Sequence, residues 1–546
     1  MKNKILLFSL LFSASVASAQ SYQVPVSEQD EPMMTGKFEP TWQSLENYQV
    51  PEWFRNVKFG IWAHWGPQCV EGSGDWMARG LYIEGSNEYN YHVQHYGHPS
   101  EVGFKDIIPL FKAEKWDPDK LVGFYKKIGA QYFFALGNHH DNFDLWDSQY
   151  QPWNSVNMGP KQDILEGWAK AARKHGLYFG VSLHADHAWS WYETSQRHDT
   201  KGPKKGIPYD GKLTKEDGKG KWWEGYDPQD LYAQNHPLSE NSWNNGTIHS
   251  QWAWGNGVCI PTQKYVTNFY NRTLDVINRY NPDLLYFDVT VAPFYPISDA
   301  GLKIAAHFYN HSMATHKGKL QAVMFGKILD ENQRKALVWD VERGAPNEIV
   351  AEPWQTCTCI GGWHYNTSIY ENNGYKSAAN VVKLLMDVVS KNGNLLLSVP
   401  LRADGTFDEK EEAILNEFGD WMNINKEAIY DTRPWKVFGE GPIAGADIKI
   451  NAQGFNEGSY GQATAQEIRF TQTKKYLYVT ALAWPEDGKV TVKSLSAGNE
   501  LYPGEIKKVE LLGYGKVKFT RTSAGLEIEL PAKRLNEIAP VFRIRK

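Results

Sequence analysis

Leu284-Leu285-Tyr286-Phe287-Asp288-Val289-Thr290 is an apolar run that ends by presenting one carboxylate. The run is aromatic and β-branched, too short for a helix, and follows the turn signal Asn281-Pro282-Asp283, so it reads as a buried parallel strand. In a (β/α)₈ barrel the chemistry sits at the C-terminal ends of such strands, which would put Asp288 at the mouth. Taken alone, Asp288 has a more ordinary reading as a loop residue accepting backbone N–H bonds. Its company argues for the mouth. Two further strand-like runs, Phe59-Gly60-Ile61-Trp62-Ala63-His64-Trp65-Gly66 and Phe133-Phe134-Ala135-Leu136-Gly137-Asn138-His139-His140-Asp141, also end in imidazole or charge.

Outward from these runs, strands and helices alternate. Residues 117–128 and 161–175 carry helical patterning, each followed by glycine, and residues 177–183 form a third strand, so the unit is a right-handed parallel one. Residues 184–260 lose all periodicity and read as an aromatic-rich insertion over the mouth. A helix over 261–280 leads into the Asp288 strand. Strands at 321–328, 337–341 and 394–400, with helices at 301–315, 378–390 and 410–424, complete the expected barrel over residues 20–432. From residue 433 to 546 short alternating segments such as Lys475-Tyr476-Leu477-Tyr478-Val479-Thr480 predict a β-sandwich.

The N-terminus pairs Lys2 and Lys4 with an apolar run from Ile5 to Val16 and the small residues Ala17-Ser18-Ala19. This predicts a secretory signal peptide over residues 1–19 and a secreted or periplasmic protein with no membrane span. The net charge of −5 is spread without a basic block, which argues against a nucleic-acid partner. Four cysteines in 546 residues exclude a disulfide scaffold, and without paired ligand spacing they give no zinc site. Buried free thiols are expected, with a Cys69–Cys259 bridge left open. No cofactor is implied, and nothing sets the oligomeric state. Tryptophans in loop-like sequence (Trp189, Trp191, Trp222, Trp223, Trp252, Trp254) suit a ligand with C–H faces and hydroxyl edges, hence an oligosaccharide or polysaccharide, though packing under long loops is an equally ordinary use.

The chain resembles the α-L-fucosidases of glycoside hydrolase family 29. The resemblance is carried by Lys58-Phe59-Gly60-Ile61-Trp62-Ala63-His64-Trp65-Gly66, His139-His140-Asp141-Asn142-Phe143, Phe287-Asp288, Trp354-Gln355-Thr356-Cys357, Trp363-His364-Tyr365-Asn366 and Ser390-Lys391-Asn392-Gly393-Asn394, in order across the barrel. It implies a retaining, metal-independent glycosidase with Asp288 as nucleophile and with His64, His139 and His140 on the sugar hydroxyls. Arg343 is a candidate cation beside Asp288. Trp65 and Trp76 are expected either to wall the pocket or to pack in the core.

The pattern breaks in three places. The family's Trp-Glu acid/base position is Trp354-Gln355 here, and an amide cannot cycle a proton. Glu342, at a predicted strand end, and secondly Glu352 are the nearby candidates for the acid/base; each reads as easily as a surface or salt-bridging residue. Asp75 stands where relatives tend to carry glutamate. His364 stands where glycine is usual, which suggests a C6 hydroxyl or anionic substituent and so α-L-galactoside rather than α-L-fucoside; a ring turned away to a loop carbonyl is the other reading. Gln355 also keeps open a catalytically impaired carbohydrate-binding protein on the same fold.

Overall fold

The computed structural model describes residues 21–27, 30–240, 242, 253–445, 451–459 and 464–546. The predicted signal peptide and Trp252 lie outside the described residues. Among those described, no helix is long and apolar enough to cross a membrane.

Eight parallel strands close into a barrel in sequence order: β1 (Phe59–Ala63), β2 (Tyr132–Asn138), β3 (Tyr178–Leu183), β4 (Leu284–Tyr286), β5 (Val323–Gly326), β6 (Val338–Glu342), β7 (Trp354–Cys359) and β8 (Gly393–Ser398). The closing pair is β8 with β1, in register Phe59↔Leu395. These strands are apolar on both faces because helices cover the outside while side chains fill the inside. Tyr132 shows the fit: its ring crosses Gly60, where a Cβ would come within 2.3 Å of it, and its hydroxyl donates to Gln355 Oε1 at 3.0 Å.

Local chemistry fixes where the Asp288 strand begins. The helix Gln263–Tyr280 starts at Thr262, whose hydroxyl caps Tyr265 N–H, and stops at Asn281 in the left-handed region. Asp283 then joins β4 to β3 twice: its N–H donates to Phe179 O at 2.7 Å and its carboxylate accepts Phe179 N–H at 2.9 Å. β4 leaves the ladder after Tyr286, earlier than the apolar run suggested, so Asp288 sits two residues beyond the strand end.

Beyond the barrel, a six-stranded antiparallel sheet (order β14-β13-β17-β11-β10-β9) and a three-stranded one (β12-β16-β15) follow. β9 is Arg433–Glu440, β10 Ile468–Gln472, β11 Tyr476–Ala481, β12 Lys489–Val492, β13 Val509–Leu511, β14 Gly515–Lys516, β15 Phe519–Thr522, β16 Gly525–Glu529 and β17 Val541–Arg545. Phe470, Val479, Val492, Ile528 and Phe542 form their shared core. All four cysteines are free, so Cys69 and Cys259 are not bridged.

Candidate active site

The strand ends β1 to β7 surround a cavity of about 400 Å³, within the size range of small-ligand pockets. His64, Asp75, Trp76, His139, His184, Tyr286, Asp288, Lys327 and Glu342 contribute to its wall.

Asp288 is held from two sides. His140 Nε2 donates to its Oδ2 at 3.1 Å, and the Lys327 ammonium bonds its Oδ1. The same ammonium bonds Glu342 Oε2 at 2.6 Å. Backbone bonds deliver the lysine: the N–H groups of Lys327 and Ile328 both donate to Thr290 O, at 2.9 and 2.6 Å, tying the turn after β5 to the turn that carries Asp288. Burial alone would raise the Asp288 pKa, but the Lys327 charge and the His140 bond outweigh it and hold the carboxyl well below its usual range. Glu342 competes for the same cation while facing the Asp288 charge, and burial with that repulsion pushes its pKa up. One carboxyl is thereby kept ionised and the other inclined to hold a proton, the division a glycosidase pair requires.

The imidazoles gather on the opposite arc. His64 Nδ1 is 2.8 Å from Ser398 Oγ, and His139 Nδ1 accepts from Gln68 Nε2 at 2.9 Å. Neither ring nitrogen of His184 has a hydrogen-bond partner among the described residues, although the ring is buried. Burial lowers the pKa of all three, with neighbouring imidazoles adding to it, so each ring is neutral at pH 7; His64 and His139 have one nitrogen left for a polyol hydroxyl and His184 has both, one a donor and one an acceptor. His139, His140 and His184 place one nitrogen each within 4.8 Å of one another, close enough to hold a metal ion. His140, expected on the sugar hydroxyls, is instead fully buried behind the cavity wall, with its two ring nitrogens facing Asp288 and the His184 carbonyl.

His364 is not turned to a loop carbonyl. Its Nδ1 lies 2.7 Å from Asp75 Oδ1, and its ring stands 4.7 Å from that of His139. Asp75 and Trp76 line the cavity, with Trp76 edge-on to Trp191.

Five expected site residues fall elsewhere, for reasons of strand geometry. Trp65 follows inward-facing His64 and so points outward, donating to Arg402 O at 2.8 Å and packing on Phe111 and Trp116. Arg343 likewise turns away from Glu342 and pairs with Glu457 at 2.8 Å. Trp354 opens β7 at the far end of the barrel, with Nε1 on Lys391 O. Glu352 precedes that end, exposed and paired with Arg55 at 3.4 Å. Gln355 pairs across the ladder with Asp340, one layer below the Glu342–Cys357 pair, and two strand residues span ~6.6 Å. There its amide donates to Asp340 Oδ1 at 2.9 Å, in a buried network that includes Tyr286 and Cys357. Gln355 therefore bears on the stability of the cavity floor, and its amide removes no proton donor from the cavity. The described tryptophans of the insertion also pack rather than line the cavity: Trp189 stacks on His236 and Trp254 on His187, while the half-exposed Trp222 donates to Asp106.

The α-L-fucosidase sequence profile matches residues 26–427, and that of the α-L-fucosidase C-terminal domain matches residues 462–545. The chain belongs to the α-L-fucosidase family. Within this family of glycoside hydrolases it is 24% identical to the plasma alpha-L-fucosidase of Homo sapiens over 534 residues, covering 92% of this chain and 90% of that protein. The Thermotoga maritima alpha-fucosidase in complex with a mechanism based inhibitor superposes with a TM-score of 0.66 at 25% identity, covering 93% of this chain and all of that one. Its complex with fucose gives 0.65 at 26% identity over the same shares.

Lys327, His184 and Tyr286 were not singled out from the fucosidase-like sequence. The strand-end rule that marks Asp288 reaches two of them, because Lys327 lies at the end of the 321–328 run and His184 directly follows the 177–183 run, whereas Tyr286 sits within its strand. Gln453 and Phe455, which reach the cavity from beyond β9, carry no such mark.

Proposed function

We propose that the protein is an exported, exo-acting, retaining glycosidase that removes terminal α-L-fucosyl or α-L-galactosyl residues by double displacement. The observation that carries this reading is the single ammonium shared by Asp288 and Glu342. Two oxygens bonded to one nitrogen at ordinary length are no more than ~6 Å apart. With one oxygen of each carboxylate that close, the pair fits the ~5–5.5 Å carboxyl spacing of retaining enzymes better than the ~6.5–9.5 Å of inverting ones.

In the first step Asp288, ionised, attacks the anomeric carbon while Glu342 protonates the departing oxygen. In the second Glu342, now a carboxylate, takes a proton from water that displaces the ester. His64, His139 and His184 hold the ring hydroxyls. The resemblance to a fucosidase crystallised with a mechanism based inhibitor supports the covalent step.

Asp75 lines the cavity and is held from behind by His364 Nδ1 at 2.7 Å, which sets a polar group in the wall. This supports acceptance of a hydroxyl at C6, hence L-galactosides. The test compares kcat/KM on aryl α-L-fucoside and aryl α-L-galactoside for the wild type, His364→Gly and Asp288→Asn. Asp288→Asn should be inert on both, and His364→Gly should move the ratio towards fucoside. A strong fucoside preference in the wild type sinks the galactoside part; unimpaired turnover by Asp288→Asn sinks the whole.

A further inference from the structure

Ile328 and Phe455 stand at the rim of the cavity, 61% and 56% exposed, and both belong to its wall. Scattered exposed apolar side chains are ordinary. What sets these apart is how firmly the backbone beneath them is fixed. Ile328 N–H is bonded to Thr290 O. Phe455 lies between β9 and β10, in a segment fastened across the ends of three barrel strands. Gln453 Nε2 donates to Lys327 O at 2.8 Å and to Asp340 O at 2.7 Å. Asn456 Oδ1 accepts from Ala345 N–H at 3.2 Å. Glu457 pairs with Arg343 at 2.8 Å and Lys376 at 3.1 Å, and accepts from Thr358 Oγ1 at 2.5 Å. The approach is so close that a Cβ on Gly344 would sit 2.3 Å from Ala452 O. Phe455 itself holds φ +52°, a region a bulky side chain enters only when its surroundings require it.

The order of strands around the barrel says what this rim faces. His64, His139 and His184 follow β1, β2 and β3, and Asp288 follows β4. Ile328 follows β5, Glu342 ends β6, and the Phe455 segment sits on β6 and β7. Hydroxyl-binding rings thus occupy one arc, the nucleophile the middle, and the proton donor with two bare apolar side chains the other. Ile328 is also the chain neighbour of the lysine that joins the two carboxylates.

We propose that Ile328 and Phe455 form the subsite for the leaving group, taking the C–H face of the pyranose ring to which the departing oxygen belongs, so that the C-terminal domain supplies part of the active site. The inference rests on the glycosidase reading above and adds the chemistry of the second sugar. A flat apolar ring against an apolar wall, with its hydroxyl edges in water, is the arrangement aromatic side chains favour for sugars.

The experiment measures Phe455→Ala, Ile328→Ala and Phe455→Tyr on two substrates with the same reacting sugar: the glycosyl fluoride, whose leaving group is one atom, and a disaccharide. Expected is a drop of about tenfold or more in kcat/KM on the disaccharide for each alanine variant, near-wild-type turnover of the fluoride, and retention by Phe455→Tyr. Equal losses on both substrates, or no loss on the disaccharide, overturn the proposal. Wild-type turnover of the fluoride separately reports on the glycosidase reading. Calorimetry in the Asp288→Asn background gives a readout free of turnover: the disaccharide should bind more tightly than its terminal monosaccharide, and Phe455→Ala should abolish the difference. Equal affinities with Phe455 intact refute the subsite whatever the activity.

Discussion

Replacing Lys327 by methionine keeps most of the side-chain volume and removes the charge that Asp288 and Glu342 share. At an effective dielectric of about 20 and ~4 Å between charge centres, one ammonium–carboxylate pair is worth ~4 kcal/mol. At ~1.36 kcal/mol per pKa unit that is ~3 units. His140 still donates to Asp288, and relaxation of the site absorbs part of the rest, so both carboxyls should titrate about 2 units higher in the variant. In the proposed mechanism Asp288 sets the acid limb of kcat/KM and Glu342 the basic limb. The whole bell therefore moves to higher pH, and at the acid side of the wild-type plateau the rate falls by about 100-fold. The assay is a pH profile on an activated aryl glycoside, with Lys327→Arg as the charge-keeping control whose limbs stay in place. The stability change has a defined sign. Asp288 has its pKa depressed in the fold, so its contribution is present above the unfolded carboxylate pKa of ~3.9 and is lost as pH falls through the folded value. The variant is thus less stable than wild type near neutrality, and the deficit shrinks below about pH 4. Limbs that stay put while the plateau drops would refute the electrostatic role and leave Lys327 a packing residue.

Glu342→Gln should lose about 10²–10⁴-fold on unactivated glycosides, much less on a glycosyl fluoride, and should regain turnover with azide, which needs no base; equal losses without rescue exclude it as the acid/base. Gln355→Glu should restore nothing, because the new carboxyl would lie buried beside Asp340, whose own pKa burial already lifts to about 7. Its kcat should not exceed wild type, and its melting temperature should fall, in line with ~1–3 kcal/mol for a buried group left without its partner; a gain in rate would overturn the layering argument. Mass spectrometry of the exported protein should find a mature chain beginning at Gln20, and retention of residues 1–19 would contradict the leader assignment.

The barrel was legible because its strands are buried on both faces and read as unbroken apolar runs, and because residues such as Thr262, Asn281 and Gly176 mark helix ends by chemistry that acts over a few residues. Site positions were legible where one rule applied, a polar residue just past a strand, which finds Asp288, His64, His139 and Glu342. The failures trace to depth and facing. Gln355 shares its strand with cavity-lining Cys357 but lies one layer lower, and Arg343 and Trp65 each face opposite to a cavity neighbour. Residue type cannot reveal such differences without the register. Phe455 was illegible for another reason: its place at the mouth depends on contacts with residues far away in sequence, up to 126 positions distant.

The shared ammonium also bears on timing. In the proposed double displacement, esterification of Asp288 removes its charge and leaves Lys327 to Glu342 alone. The residue that had been inclined to hold its proton is then inclined to stay ionised, the form a base needs when water attacks. No conformational change is called for; the covalent bond itself reassigns the cation, and hydrolysis of the ester returns it.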